Sequence, residues 1–250
     1  MYAAPPPPQA PIPRQPAALA AKLDSTLRDL NAAVDGWRGP RARPPRAVTL
    51  EALYEQRISI LLSERPRLAK DVLRRVQARE VRSDVLARRE LRGLSRPRPL
   101  QAFATGPAAP AYRLRGFYAE AQRRFHVGWH VLAAVNYVES AFNKLRNSSS
   151  AGAQGPMQFI PSTWRAYGMG GNVHDPHDAI LGAANYLHGN GAPGDYPRAL
   201  YRYNPSRHYV DAVLRYAAMI RSDPRAFYVL YSRQVFVRTP HGLIRLTGPR

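Results

Sequence analysis

Residues 129–141 read WHVLAAVNYVESA, the most apolar helical pattern in the sequence. Apolar side chains fill almost every position, which predicts a helix buried over most of its surface. Its one acidic residue, Glu139, lies beside Ser140 in the final predicted turn. Burial and the partial negative charge of a helix C-terminus both disfavour an ionised carboxylate, so we expect Glu139 to have a raised pKa and to suit proton donation. The alternative is a Glu139 that reaches solvent or pairs with Arg146.

A Gly/Ser-rich loop follows, with SSSAGAQGPMQFIPSTW at residues 148–164. Gly152, Gly155 and Pro156 require a tight backbone path immediately before Met157, Gln158 and Phe159. Such a loop can present backbone amides and the Gln158 amide to a sugar while its apolar neighbours pack against the ring. An ordinary turn with its apolar residues in the core is the alternative.

Helical patterns continue on both sides of this loop. Asp175 is a natural N-cap, Pro176 suits the first helical position, and Gly189 follows the last turn of the helix between them. The predicted helices cover residues 112–125, 129–141, 162–167, 176–188, 196–203 and 206–220. Together these patterns predict a mainly α fold.

Composition divides the chain into five parts. Residues 1–47 are Pro-rich and predicted to be disordered, with a short helix over 16–37 as an alternative. Residues 48–94 are helical, broken at Pro66, with arginines expected on a solvated face; a polyanion-binding face is the alternative. Residues 95–111 read as a linker, residues 112–224 as a second helical domain, and residues 225–250 as a β-hairpin tail around a Pro-His-Gly turn.

The totals restrict the partners and chemistry. Thirty-seven basic and 17 acidic residues give a net charge of +20, which favours an anionic partner such as a cell-wall polymer or a membrane surface. No nucleic-acid-binding motif is visible, so we expect no nucleic-acid partner. The absence of cysteine excludes disulfides and thiolate chemistry. No apolar run approaches the roughly eighteen residues of a membrane span, and the first residues show no export leader.

We predict no metal and no cofactor. His174 and His177 with Asp175 and Asp178 could hold a metal, but histidines at this spacing beside an N-cap are usually surface residues. The loop over residues 168–178 lacks the run of acidic and amide residues that a calcium loop requires.

The order of these motifs resembles that of the lytic transglycosylases of the lysozyme superfamily. The resemblance rests on Glu139-Ser140, on the run from Ser149 to Gln158 (SSAGAQGPMQ), on Tyr203-Asn204 and on Tyr209. It covers about residues 112–222. The GPMQF-PSTW form most resembles the soluble and membrane-attached branch of murein transglycosylase B. The resemblance implies a lysozyme-like helical catalytic domain with an N-terminal helical extension.

The same resemblance implies a role for each matching residue. Glu139 would be the catalytic acid and base. Ser149 and Gln158 would line the subsite around the cleaved bond, with Met157 and Phe159 shaping the cleft. Tyr203 and Asn204 would contact the substrate acetamido group or the Glu139 carboxyl, and Tyr209 would hold or polarise that carboxyl.

The expected activity is cleavage of peptidoglycan glycan strands between N-acetylmuramic acid and N-acetylglucosamine, leaving 1,6-anhydro-muramic acid ends. Glycosidases usually need two carboxylates, and no second candidate is evident between residues 112 and 222. A hydrolytic muramidase of goose-lysozyme type and a non-catalytic cell-wall glycan-binding protein are the alternatives. The substrate implies an extracytoplasmic location, and we expect a monomer.

Overall fold

The computed structural model describes residues 4–37, 43–94, 96–147 and 152–249. Within them the chain forms eleven α-helices and one β-hairpin. The helices are α1 (Pro16–Asp35), α2 (Arg46–Glu64), α3 (Pro66–Leu73), α4 (Arg79–Arg92), α5 (Ala111–Phe125), α6 (Trp129–Ser140), α7 (Pro161–Tyr167), α8 (Pro176–Gly189), α9 (Tyr196–Tyr203), α10 (Arg207–Ser222) and α11 (Arg225–Ser232). The hairpin pairs β1 (Phe236–Thr239) with β2 (Gly242–Arg245). The expected mainly α, lysozyme-like fold with a terminal hairpin is confirmed.

Helices α5 to α10 begin and end within two residues of the predicted positions, because their termini carry strong local signals. The Asp175 carboxylate accepts hydrogen bonds from the backbone N–H groups of His177 and Asp178 at the start of α8. The Asp195 carboxylate accepts one from Arg198 at the start of α9. Each cap satisfies N–H groups that lack a partner within the helix.

Two terminal predictions need correction. Residues 1–47 are predicted to be disordered, but α1 occupies Pro16–Asp35 and buries Leu19, Leu23 and Leu30. The tail is predicted to be a hairpin from residue 225, but residues 225–232 form α11. Phe227, Leu230 and Tyr231 are buried at helical spacing, and this periodicity outweighs the β-propensity of the Tyr-Val-Leu-Tyr run.

The largest core is shared between helices α5 to α10 and the segments on either side of them. Phe227 of α11 lies edge-on against the rings of Tyr118, Trp129 and Phe142, at centroid distances of 6.1, 6.2 and 5.6 Å. Leu30, Val48 and Ala87 bring α1, α2 and α4 into the same core. Helices α5 to α10 are therefore packed on both flanks by chain outside them.

A buried ion network joins helices α2 and α4 to the residue that follows α11. Arg233, 2% exposed, donates to Glu55 of α2 and Asp84 of α4, both at 2.8 Å. Asp84 also accepts from Arg88 at 3.0 Å and from the Tyr216 hydroxyl at 3.0 Å. Burial alone would raise the pKa of Asp84, but the charges of Arg233 and Arg88 outweigh it and hold that pKa well below its usual range.

Residues 96–110, predicted to be a linker, run against the loop after α6 and the hairpin. The Ala104 carbonyl accepts from the Arg146 N–H at 2.9 Å, and the Gly106 N–H donates to the Lys144 carbonyl at 3.0 Å. Further back, the Arg98 N–H donates to the Arg238 carbonyl of β1 at 3.1 Å. The linker therefore contacts both the loop after α6 and the hairpin.

Candidate active site

Glu139 lies one residue before the end of α6, half-buried, with its carboxylate beside the ring of a buried tyrosine. The Tyr209 hydroxyl donates to its Oε1 at 2.7 Å. Burial raises the pKa of Glu139 to about 7, although the hydrogen bond from Tyr209 lowers it in part. The alternative pairing of Glu139 with Arg146 is not formed: the Arg146 guanidinium donates to the Pro107 carbonyl at 2.8 Å and to the Asn143 carbonyl at 3.4 Å. Glu139 is therefore placed to carry a proton near neutral pH.

Three successive non-glycine residues with positive φ follow α6. Ala141, Phe142 and Asn143 have φ of 49°, 63° and 66°. The Phe142 N–H donates to the Asn136 carbonyl at 3.2 Å, and buried packing of the Phe142 ring holds the turn. Left-handed backbone at non-glycine residues costs free energy, and residues with such strain cluster at functional sites.

Ser140 fixes the loop after it to the end of α6. Its hydroxyl donates to the Pro156 carbonyl at 2.7 Å and accepts from the Asn143 N–H at 2.8 Å. Gly155 has φ of +74°, and a Cβ there would lie 1.9 Å from the Val173 carbonyl oxygen. The Glu-Ser pair thus joins the candidate acid to the loop, and glycine is required where the loop meets Val173.

The loop side chains are less free than the sequence indicates. The Gln158 amide donates to the carbonyls of Asn147 and Gly155 at 3.1 and 2.9 Å. Met157 is fully buried, and Phe159 is 3% exposed. Both apolar side chains therefore belong to the core beneath the site, as the alternative interpretation of the loop has it. Ser149 lies outside the described residues.

Two stacked tyrosines lie beneath the surface near Glu139. The rings of Tyr203 and Tyr209 are parallel within 3°, with centroids 6.4 Å apart. The Tyr203 hydroxyl donates to the Met157 carbonyl at 2.6 Å, so it ties α9 to the loop. Asn204 follows it, half-buried, at the C-terminus of α9. The structure thus brings Tyr209 into contact with Glu139 and gives Tyr203 a backbone partner in the loop.

Glu139 opens onto a cleft of about 850 Å³. One wall is the end of α6, and the other comes from parts of the chain to which the sequence assigned no site. The lining outside α6 and its loop includes Gln56, Ile60, Ser63, Glu64, Arg88, Leu91, Arg92, Leu94, Arg96, Pro97, Arg98, Phe103, Gln234, Val235, Phe236, Val237, Arg238 and Leu243. Sequence reasoning missed these residues because no local pattern signals packing between distant segments.

A second cavity of about 420 Å³ adjoins the same loop. It is lined by Asn143, Arg146, Asn147, Gln158 and His174, with Pro107 to Ala109 of the linker. Gln158 therefore lines a different cavity from the one that Glu139 lines. The role of Gln158 in the subsite around the cleaved bond stays a prediction.

The histidine-acid group at the start of α8 has protein partners. The carboxylates of Asp175 and Asp178 and the His177 ring place ligand atoms within 4.8 Å of one another. His177 Nε2 lies 3.0 Å from Glu120 Oε2, while the Asp175 carboxylate caps α8 and Asp178 accepts from the Asn172 N–H. Helix capping and hydrogen bonding account for this arrangement.

The helical fold and the half-buried glutamate at the end of an apolar helix define a lysozyme-like domain. Residues 117–219 match the family model described as "Transglycosylase SLT domain". The match includes Glu139, the loop, Tyr203 and Tyr209, so the SLT-type resemblance is confirmed. The finer placement in the murein transglycosylase B branch stays a prediction.

One relative is a protein of Alkalilimnicola ehrlichii named membrane-bound lytic murein transglycosylase F 1. It is 29% identical over 148 residues, covering 53% of this chain and 30% of the relative. The match thus spans less than a third of the relative's length. No solved structure matches the chain. No helix among the described residues is both long and apolar enough to cross a membrane.

Proposed function

We propose that the protein cleaves the β-1,4 bond between N-acetylmuramic acid and N-acetylglucosamine in peptidoglycan and leaves 1,6-anhydro-muramic acid ends. The observation that carries this proposal is the Glu139 carboxyl, half-buried beside a large cleft with a pKa raised to about 7. The SLT domain match and the relative named a lytic murein transglycosylase support the same reaction.

In this reaction Glu139 acts twice. Its protonated carboxyl gives a proton to the glycosidic oxygen as the bond from that oxygen to C1 of the muramyl sugar breaks. The acetamido oxygen of the same sugar stabilises the developing positive charge. The Glu139 carboxylate then removes the proton of the C6 hydroxyl as O6 bonds to C1. Glu139 regains its proton, and no water is consumed.

The lining of the cleft supports a mechanism with one carboxylate. Among the described lining residues, the acid besides Glu139 is Glu64, whose Oε1 lies 3.5 Å from the Arg238 guanidinium. A hydrolase that uses a second carboxylate, with either inversion or retention of configuration at C1, needs that carboxylate to be unpaired and to face the scissile bond. Glu64 is paired instead, which favours attack by the substrate's own hydroxyl.

The test is digestion of purified peptidoglycan followed by mass spectrometry of the fragments. We expect muramyl ends lighter by one water than reducing ends. The Glu139→Gln variant should yield neither product. Reducing ends from the unchanged protein would replace the proposal with hydrolysis, and binding without any fragment would indicate a glycan-binding protein.

Asp211→Asn is the matched control for this experiment. Asp211 is an exposed carboxylate on α10, outside the cleft, and Asp211→Asn makes the same carboxyl-to-amide change as Glu139→Gln. Its activity should equal that of the unchanged protein.

The proposed substrate also sets the location and partners. Peptidoglycan lies outside the cytoplasmic membrane, so we propose extracytoplasmic action, in line with the relative's name. The net charge of +20 suits contact with anionic wall polymers or membrane surfaces. We propose that the chain acts as a monomer.

A further inference from the structure

The cleft beside Glu139 has an unusual charge for a site that holds an uncharged glycan. Its lining holds the five arginines Arg88, Arg92, Arg96, Arg98 and Arg238 and the two acids Glu64 and Glu139. All five arginines lie outside residues 117–219, in α4, the linker and β1. We call them the arginine wall. The SLT domain supplies the acid, and the flanking segments supply the positive charge.

Three members of the arginine wall are free to bind a ligand. Arg92, Arg96 and Arg98 are exposed, and none forms an ion pair with the described residues. The Arg98 guanidinium lies 5.6 Å from the centre of the Phe103 ring, which holds it in place from one side.

Arg88 is the least exposed member of the arginine wall. Its Nε donates to Asp84 at 3.0 Å, so it belongs to the buried ion network. The exposed cations of the wall without an ion pair to a described residue are therefore Arg92, Arg96 and Arg98.

We propose that the arginine wall binds the carboxylates of the peptide carried by the muramyl sugar. The inference rests on the proposed function. Sugar hydroxyls and acetamido groups require no cation, whereas the peptide brings free carboxylates that are covalently attached to the sugar being cleaved. Arg92 and Arg96 line the same cleft as Glu139. A carboxylate attached to the sugar that is being cleaved therefore enters this cleft whenever that sugar binds.

The test compares two glycan-strand substrates: strands with intact peptides, and strands whose peptide carboxyls have been converted to neutral amides. The readout is the ratio of kcat/KM on the first substrate to that on the second. In Arg92→Gln/Arg96→Gln this ratio should fall about tenfold, the product of two modest exposed charge contacts. The control Arg67→Gln/Arg123→Gln removes two exposed arginines outside the cleft and should keep the ratio of the unchanged protein.

Each result decides a different point. An unchanged ratio in Arg92→Gln/Arg96→Gln, or an equal fall in the control, overturns the peptide assignment while leaving the cleavage reaction intact. A fall seen only with strands that still carry a phosphate polymer overturns it in favour of that polymer. If the unchanged protein cleaves neither substrate, the proposed function itself fails.

Discussion

At the scale of single residues, the site depends on a balance at one carboxyl group. Removal from water raises the pKa of Glu139, and the Tyr209 hydroxyl partly offsets that effect. Burial and the nearby Glu139 charge also raise the pKa of Tyr209 well above its ordinary value, so its hydroxyl stays a donor throughout the neutral range. The pair thus keeps its hydrogen bond while Glu139 exchanges its proton.

This balance predicts the pH dependence of cleavage. Because the first step needs a protonated Glu139, kcat/KM should fall as pH rises through about 7. Tyr209→Phe removes the donor that favours the ionised form, so the fall should move to higher pH. A profile of kcat/KM against pH measures both effects.

Tyr216→Phe is the control for the tyrosine variant. Tyr216 is also buried on α10, and its hydroxyl donates to a different carboxylate, that of Asp84. Its loss should lower stability and leave the position of the alkaline limb unchanged. An equal shift in both variants would contradict the role given to Tyr209.

The same carboxyl predicts a dependence of stability on pH. The pKa of Glu139 rises from an ordinary 4.5 to about 7 on folding. Below pH 4.5 the carboxyl is protonated in both the folded and the unfolded chain. Between pH 4.5 and about 7 it ionises in the unfolded chain alone, so the free energy of unfolding falls as pH rises. Above about pH 7 it is ionised in both states and the loss stays constant. Glu139→Gln should therefore raise the free energy of unfolding by at most about 3 kcal/mol at pH 8 and by little at pH 4. Urea unfolding at both pH values checks this, and a gain of equal size at both would contradict it.

At the scale of elements, the loop after α6 is specified by one close approach. Gly155→Ala places a methyl group against the Val173 carbonyl in addition to the strain of a positive φ, so a loss of about 2–4 kcal/mol is expected in thermal unfolding. Gly170→Ala is the control, because Gly170 has φ of +78° and open space around its Cβ position. It should cost about 1 kcal/mol. Equal losses would show that the Val173 contact is unimportant.

The helices show which parts of the fold could be predicted. Caps and prolines such as Asp175 and Pro176 act within a few residues, so the bounds of α5 to α10 followed from the sequence. The Tyr-Val-Leu-Tyr run of α11 was misassigned because its spacing suits a helix while its residue types suit a strand. Arg88 was expected on a solvated face, since its partners Asp84 and Arg233 cannot be recognised without the fold.

At the scale of the whole molecule, the buried ion network holds the chain's distant segments together. Arg233→Met leaves the buried Glu55 carboxylate without its cation and leaves Asp84 with Arg88 alone, so we expect a loss of about 3–5 kcal/mol in urea unfolding. Because Arg233 helps depress the Asp84 pKa, the unchanged protein should lose this stabilisation in acid, as pH falls below about 4.

Arg225→Gln is the matched control for Arg233→Met. Arg225 pairs with Asp223 and Asp35 where about a third of its side chain is exposed. Its loss should change the free energy of unfolding by about 1 kcal/mol or less. Comparable losses in the two variants would contradict a special role for the buried network.

The placement of Phe227 has a consequence for the boundaries of the family match. Residues 117–219 end before α11, so that segment alone would leave the rings of Tyr118, Trp129 and Phe142 without the side chain that covers them. It would also lack the arginine wall. An excised segment of residues 117–219 would therefore expose apolar rings, and we expect it to aggregate where the full chain does not.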